Sequence, residues 1–479
     1  IPYLISLVLL GIPLMWVEWT AGRFGGGFGH STSPGIFHSL WQKNRFIKYF
    51  GIAGIFGPFL IFMYYNYIES WTLAYAYYAI TGQLSSISSN TGFVDFLTGF
   101  QGVSSNSPLA GSKSAIIFFI ITFILNISVL YYGIRGGIEK LCNITLPLLL
   151  FFGIALVVRV LTLFAPDAAH PSWNSINGLG FLWNPDFSAL KSARVWLAAA
   201  GQVFFTLSLG MGVILTYSSY LKKEDDIVLS GLAASSANEF AEVIIGGSIV
   251  IPAAFIFFGP EQIKGIAESG AFNLGFVTMP QIFNHISFGA IFAFLWFAML
   301  FLAGITSSVS LAQPAVAFLE DEFDIKKTKA VTLFAIFSFI MSIPAIIFLH
   351  RGVLDDLDFW GGNVIIVLGA TMEIILLSWV FGIDKAWDEM HLGARMRLPK
   401  IFKFIIRYVT PTFLILILGY WLVSDWWKVI TMADIPRENV PYVLGIRLLL
   451  LAILLLFIYL VWYAWRKRKI EEYHGKDKI

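Results

Sequence analysis

The chain has 479 residues, 57% hydrophobic and 13% charged, with 32 basic against 30 acidic side chains and a formal net charge of +2; its mean hydropathy is +0.76. Soluble domains carry about 25% charged residues, so this composition excludes a water-soluble globule, and the near-neutral balance gives no nucleic-acid partner. The single cysteine, Cys142, excludes a disulfide framework, a thiolate metal site and an iron–sulfur cluster.

Apolar runs of about 20 residues can cross a bilayer as helices. They predict eleven spans, near 1–20, 50–81, 115–133, 142–164, 194–219, 228–258, 289–318, 330–349, 359–382, 404–424 and 442–465. Basic residues cluster after every second span: Arg23, Lys43, Arg45 and Lys48, then Arg135 and Lys140, Lys222 and Lys223, Lys326, Lys327 and Lys329, and Lys385 to Lys403. The tail opens with Arg-Lys-Arg-Lys at 466–469, while the intervening loops hold few basic residues. The rule that cytosolic loops are positive then puts the C-terminus in the cytosol. An odd number of spans puts Ile1 outside, with no signal peptide to carry it there. The expectation is therefore a fragment, with a cytosolic segment and a first span missing ahead of Ile1.

The polar stretches 85–92 and 101–108 read as extracellular loops. The segment 259–287 is less polar and is expected to hold short helices over the outer face. Gly25, Gly26, Gly27 and Gly29 form a cytosolic cluster without the lysine or the strand of a phosphate loop, so a tight loop is expected there rather than a nucleotide site. There is no His-Glu-x-x-His or nucleophile elbow, and the seven histidines are scattered through loops, which argues against an enzyme.

The run from Ala193 to Tyr220 is apolar enough to span, yet its centre holds Thr206, Ser208, Gly210 and Gly212. Glycine weakens a helix by about 1 kcal/mol relative to alanine, and hydroxyls can satisfy a backbone that opens. One reading is a broken helix, whose bare carbonyls bind cations and whose half-helix ends bind carboxylates. The other is a groove of small residues for close helix packing.

Polar side chains inside the remaining spans form i, i+3 and i, i+4 sets: Asn238 with Glu242; Ala303, Thr306 and Ser307, continued by Leu311; and Ile61 with Tyr65. Glu18, Glu69, Glu239 and Glu373 are further embedded carboxylates. Each alone also reads as a hydrogen bond between helices. Together, hydroxyl, amide and carbonyl oxygens near a broken helix suit a hard cation such as sodium.

Five motifs resemble one family: Gly-Ile-Pro-Leu-Met-Trp-Val-Glu-Trp at 11–19, Tyr-Ile-Glu-Ser-Trp at 67–71, Gly-Gln-Val-Phe-Phe-Thr-Leu-Ser-Leu-Gly at 201–210, Ala-Gly-Ile-Thr-Ser-Ser at 303–308 and Asp-Phe-Trp at 358–360. From Ile1 to about Trp465 the chain resembles the neurotransmitter:sodium symporters, and most of all their bacterial leucine-transporter branch. The resemblance implies an all-α multi-spanning membrane protein with an inverted-repeat (5+5) fold, of whose twelve spans eleven are present. Residues 1–382 would form the transporter core, with spans two to ten, and 383–479 the last two spans and a cytosolic tail. The absent first span supplies ligands to both ion sites in this family, so the chain as written is expected to bind no substrate in a sodium-dependent way.

The resemblance also carries roles onto residues. It implies two sodium ions and no organic cofactor, with Thr206 and Asn238 at the first sodium site and Ala303, Thr306 and Ser307 at the second. It implies a substrate pocket of Ile61, Tyr65, Phe205, Thr206, Ser208, Met211, Ser307 and Leu311. Tyr64 and Phe205 would be lid residues, Asp358 the outer-gate acid, and Asp321, Ser219 and Tyr220 the inner gate. Glu242 would supply the negative charge that chloride gives many animal relatives. The implied function is sodium-coupled, chloride-independent import of hydrophobic amino acids across a prokaryotic plasma membrane. Its partners are sodium, a small hydrophobic amino acid and the lipid bilayer, and a homodimer is an assembly compatible with this reading. An amino-acid sensor of the same fold, without transport, is the alternative.

Overall fold

The computed structural model describes all residues except 104–110, 164–169, 186, 269, 425 and 477–479. The polar stretch expected at 101–108 therefore lies mostly outside the described residues. Among the described residues the regular secondary structure is entirely helical.

Nine helices are long and apolar enough to cross a membrane among the described residues. The eleven apolar runs map onto them once two features are recognised. The continuous stretch Lys113–Leu161 is divided at Gly133, whose φ of 73° and ψ of −166° turn the chain between a Lys113–Gly133 helix and a Glu139–Leu161 helix. The run at 194–219 is missing from the nine because its helix is interrupted, with Ala193–Thr206 and Val213–Ser218 on either side of the gap. Glycine also sets two other boundaries. Gly382 (φ 103°) separates the membrane span from the amphipathic Ile383–Met390 helix, and Gly259 (φ 74°) bends the Gly247–Glu268 helix. Beyond that bend the chain forms the short helices Ala271–Asn273, Leu274–Thr278 and Met279–Asn284, as expected for 259–287.

The chain divides into two compact units that interleave in sequence: 1–64, 187–236 and 310–479 form one, and 65–186 with 237–309 form the other. Lipid is as apolar as leucine, so close packing and hydrogen bonds hold such helices together. In the first unit the buried Trp16 indole donates to the Val228 carbonyl at 3.0 Å and meets the Phe402 ring edge-on at 5.1 Å. Phe59 packs among Phe334, Phe337 and Phe457. Gly22 lets the Ile12–Gly26 helix lie against Val213–Ser218, since a Cβ there would meet the Leu215 carbonyl oxygen at 2.4 Å. In the second unit Tyr75 gathers Phe96, Phe100, Phe276 and Phe297 around its ring. There the Asn284 amide donates to the carbonyls of Leu84 and Ile87 at 2.8 and 2.9 Å, tying a loop to a short helix.

Several spans contain a wide π-type turn, including Phe240–Gly246 and Phe359–Ile365. Such turns insert one extra residue into the helical repeat and are frequent at functional sites. The first begins between Asn238 and Glu242, so their i, i+4 relation is wider than that of a regular α-helix. The second follows directly after Asp358.

Candidate functional site

In the first unit the interrupted helix is the central feature. The Ala193–Thr206 helix closes with backbone bonds from Leu207, Ser208 and Leu209 back to Val203, Phe205 and Phe204. The chain then leaves helical geometry through Ser208 (φ 55°), Gly210 (φ 71°) and Gly212 (φ 69°), and resumes at Val213. A non-glycine residue at positive φ is uncommon and marks an imposed conformation; Ser208 is that residue here. The break is buried, with Leu207, Leu209 and Met211 all sequestered.

The fully buried Glu18 holds the break in place. Its Oε1 accepts from the Gly210 N–H at 2.7 Å. Glu18 also hydrogen-bonds Glu373, so two embedded carboxyl groups from different helices meet behind the opened backbone. Glu18 sits in the motif at 11–19, and sequence reasoning identified it only as an embedded carboxylate. Ile61, Met211 and Leu311 are buried in the same unit, whereas Phe205 is 41% exposed.

Two sets of residues expected at the gates lie in this unit. The Tyr64 hydroxyl donates to Asp358 Oδ1 at 2.6 Å. Asp321 accepts a hydrogen bond from Ser31, and the Tyr220 hydroxyl also bonds Ser31 and Gln313. Burial of that hydroxyl and the nearby Asp321 carboxylate push Tyr220 up to about 12, although its ring is half exposed, so it stays a neutral donor near neutral pH. Beside them His30 Nδ1 lies 3.4 Å from Glu322 Oε1. Ser219 bonds outside this cluster: its hydroxyl donates to the Thr216 carbonyl one turn back, at 2.7 Å. Ser31 was missed from sequence; its only signal is its place just before the Ser33–Leu40 helix, in a segment rich in hydroxyls. The buried Arg23 anchors the same unit, bonded to the Glu389 carboxylate at 3.2 Å and to the carbonyls of Asp225 and Leu392 at 2.8 and 3.0 Å.

In the second unit the oxygens expected at the second sodium site lie together. The Thr306 hydroxyl donates to the Ala303 carbonyl at 2.9 Å. Ser307 is exposed and within hydrogen-bonding reach of the Tyr65 hydroxyl. One turn away, the Asn126 amide donates to both oxygens of the buried Glu69 at 3.1 Å, and the Ser308 hydroxyl donates to Asn126 Oδ1 at 2.5 Å. Asn126 is the one amide side chain in the run 115–133, a signal that sequence reading passed over. Asn238 and Glu242 stand on the same helical segment and both are partly buried.

Comparison with known proteins agrees with this architecture. The family model described as "Sodium:neurotransmitter symporter family" matches residues 114–467. A sodium-dependent transporter of Methanocaldococcus jannaschii, MJ1319, is 29% identical over 418 residues, covering 86% of this chain and 81% of its own. The sodium-dependent dopamine transporter of Bos taurus is 23% identical over 458 residues, covering 87% of this chain and 62% of its own. The crystal structure of MhsT in complex with L-phenylalanine superposes with a TM-score of 0.73 at 29% identity, over 87% of this chain and 90% of that one. The first two of these relatives are transporters by name, not enzymes. With its all-helical fold of membrane-crossing helices and a family match over most of its length, the chain belongs to the sodium:neurotransmitter symporter family.

Proposed function

We propose that this chain is a sodium-coupled symporter importing hydrophobic, leucine-like amino acids by alternating access, without a need for chloride. The observation that carries the reading is the buried helix break at Leu207–Gly212, held by Glu18. An opened backbone supplies carbonyl oxygens for a cation and half-helix termini for a carboxylate. A zwitterionic amino acid together with sodium matches both.

In this reading Thr206 and Asn238 contribute to one sodium site, and Ala303, Thr306 and Ser307 to the other. The substrate carboxylate meets the Tyr65 hydroxyl, and its ammonium meets carbonyls around Phe205, Thr206 and Ser208. Ile61, Met211 and Leu311 face the substrate side chain. Met211 stands where the leucine-transporter branch has an aromatic residue, and methionine's flexibility suits some variation in bulk. Glu242 supplies the fixed negative charge beside the first site; opposite charges about 5 Å apart are worth roughly 3 kcal/mol at an effective dielectric of 20. Tyr64 with Asp358, and Tyr220 with Asp321, act as gates, and the last two spans in 383–479 stand outside the inverted repeats. The protein lies in a prokaryotic plasma membrane with its C-terminus in the cytosol.

Energetically the coupling suffices. Each charge entering down ~100 mV releases ~2.3 kcal/mol, and two sodium ions therefore support roughly a thousandfold accumulation at ~1.4 kcal/mol per decade. The test is uptake of labelled leucine by the full-length protein in proteoliposomes, with sodium gradients and with chloride replaced by gluconate. Sodium-driven uptake that persists in gluconate, and that isoleucine, valine and methionine compete for, is expected. Uptake indifferent to sodium, or competition by glutamate or lysine as strong as by leucine, refutes the reading. The Glu242→Ser variant should acquire a chloride requirement.

A further inference from the structure

The first unit carries a second feature that the transport reading leaves unused. A cavity of about 580 Å3 forms an apolar groove among the Ala53–Ile80, Ile366–Ile375 and Val440–Lys476 helices. Its floor is buried at Phe56, Leu60 and Val364, while Phe50, Leu368 and Leu451 at its margins are exposed, so it opens sideways along the helices. From Leu444 to Leu454 it follows ten residues of one helix, a rise of about 15 Å. That is about one leaflet of a ~30 Å hydrocarbon core.

One end of the groove runs into a polar pocket of about 570 Å3, with which it shares Met432 and Arg447. Arg447 is already committed, at 2.6 Å from Asp356 and over the Trp360 ring at 5.7 Å. The pocket's other charges are Arg351 and Lys428 against Asp355 and Asp434, two of each sign. Arg351 also has the exposed Glu438 at 4.0 Å, a contact too long and too wet to neutralise it. Around the junction, several buried nitrogens find no partner in the protein: Trp360 Nε1 in the groove wall, and Arg351 Nε with both ring nitrogens of His350 in the pocket. A buried donor without an acceptor costs about 1–3 kcal/mol. The junction therefore calls for an oxygen-rich acceptor, joined to a long apolar tail and accompanied by a positive charge.

We infer that this groove and pocket bind a glycerophospholipid with a zwitterionic, phosphate–ammonium head group. The phosphate oxygens accept from Trp360 Nε1, Arg351 and Lys428. The ammonium lies against Asp355 and Asp434, and one acyl chain fills the groove. The balanced charges of the pocket favour a zwitterion over a net anionic head group.

The test is native mass spectrometry of the full chain, delipidated in detergent and incubated separately with dioleoyl-phosphatidylethanolamine, dioleoyl-phosphatidylglycerol and dioleoylglycerol. One phosphatidylethanolamine should be retained, with dioleoylglycerol at least tenfold weaker and phosphatidylglycerol weaker by several-fold. Trp360→Phe, which removes the N–H, and Leu451→Trp, which blocks the groove, should each cut the phosphatidylethanolamine adduct at least fivefold. Lys428→Ala, at an exposed position, should do the same and stands in for either variant that fails to elute as a monodisperse peak. Equal retention of dioleoylglycerol, preference for phosphatidylglycerol, or wild-type retention by the monodisperse variants would overturn the assignment.

Discussion

Gly210→Ala tests whether the helix break is an obligatory conformation. Gly210 has a φ of 71°, and a Cβ built there would lie 1.9 Å from the Ile366 carbonyl oxygen and 2.9 Å from the Ala370 nitrogen. Both are backbone atoms of a regular helix, so no side chain can swing aside. The left-handed conformation costs an L-residue about 1–2 kcal/mol. Ordinary contacts begin at 3.4 Å, so the neighbouring helix must retreat by more than an ångström, and overpacking of that kind costs about 1–3 kcal/mol. The total of about 2–5 kcal/mol is large beside typical stabilities of about 5–15 kcal/mol. It also displaces the Gly210 N–H from Glu18. In the full-length protein, sodium-dependent leucine uptake into proteoliposomes should fall more than tenfold, and the thermal midpoint of the detergent-purified protein should drop by several degrees. Gly419→Ala is the control, because a Cβ there meets nothing within 4 Å. Wild-type uptake and melting in Gly210→Ala, or equal damage in Gly419→Ala, would refute the reasoning.

Three further outcomes follow from single contacts. Glu18→Gln keeps an acceptor for the Gly210 N–H and should melt within about 1 kcal/mol of wild type, whereas Glu18→Ala orphans that buried donor for about 1–3 kcal/mol and should lose most uptake; thermal unfolding and uptake of the two variants side by side decide it. Tyr64→Phe removes the 2.6 Å bond to Asp358, worth about 1 kcal/mol, and should speed release of bound labelled leucine roughly fivefold; an unchanged release rate argues against a gate. Asp226 caps the Ile227–Glu239 helix, accepting from Leu229 N and Arg395 N at 2.9 Å each; partial burial opposes these bonds, but they prevail and hold its carboxyl below the ordinary carboxylate range. Its stabilisation is thus present above the unfolded value of about 3.9 and is lost as pH falls through the lower folded value. Asp226→Ala should therefore cost about 1 kcal/mol at pH 7 and nothing at the acid end, as melts across pH 7 to 3 would read out.

Much of the fold was legible because lipid imposes one simple rule: a lipid-facing span must be apolar and keep its backbone hydrogen-bonded, which a helix does by itself. Gly133 and Gly382 ended predicted spans where positive φ does end them. The wide turns were not legible, because their apolar residues fit a regular helix equally well. The bond from Ser31 to Asp321 joins residues 290 positions apart, and no local pattern reports such a bond. Nor did the motif at 11–19 reveal that Glu18 reaches Gly210, 192 positions away. A carboxylate in a span signals that some partner exists, but which one is a property of packing. The same holds for Asn126, whose two partners Glu69 and Ser308 come from separate helices.

The segment at 193–220 shows why sequence could not choose between a broken helix and a packing groove: the same glycine does both. Gly210 takes a φ that alanine resists, and its missing Cβ also admits the backbone of Ile366–Ile375. Gly212 repeats the pattern, with a φ of 69° and the Gly54 carbonyl oxygen 2.2 Å from where its Cβ would stand. Each requirement enforces the other. Re-forming a straight helix through 207–212 would turn these positions away from the neighbours that close on them, and would take the Gly210 N–H from Glu18. Restoring helical propensity alone therefore cannot mend the break. Gly212→Ala should damage the protein much as Gly210→Ala does, although Gly212 has no contact with Glu18 among the described hydrogen bonds. If Gly212→Ala instead raised helicity and stability together, the break would owe its existence to weak propensity alone, and the clamp formed by Gly54, Ile366 and Glu18 would not be what keeps it open.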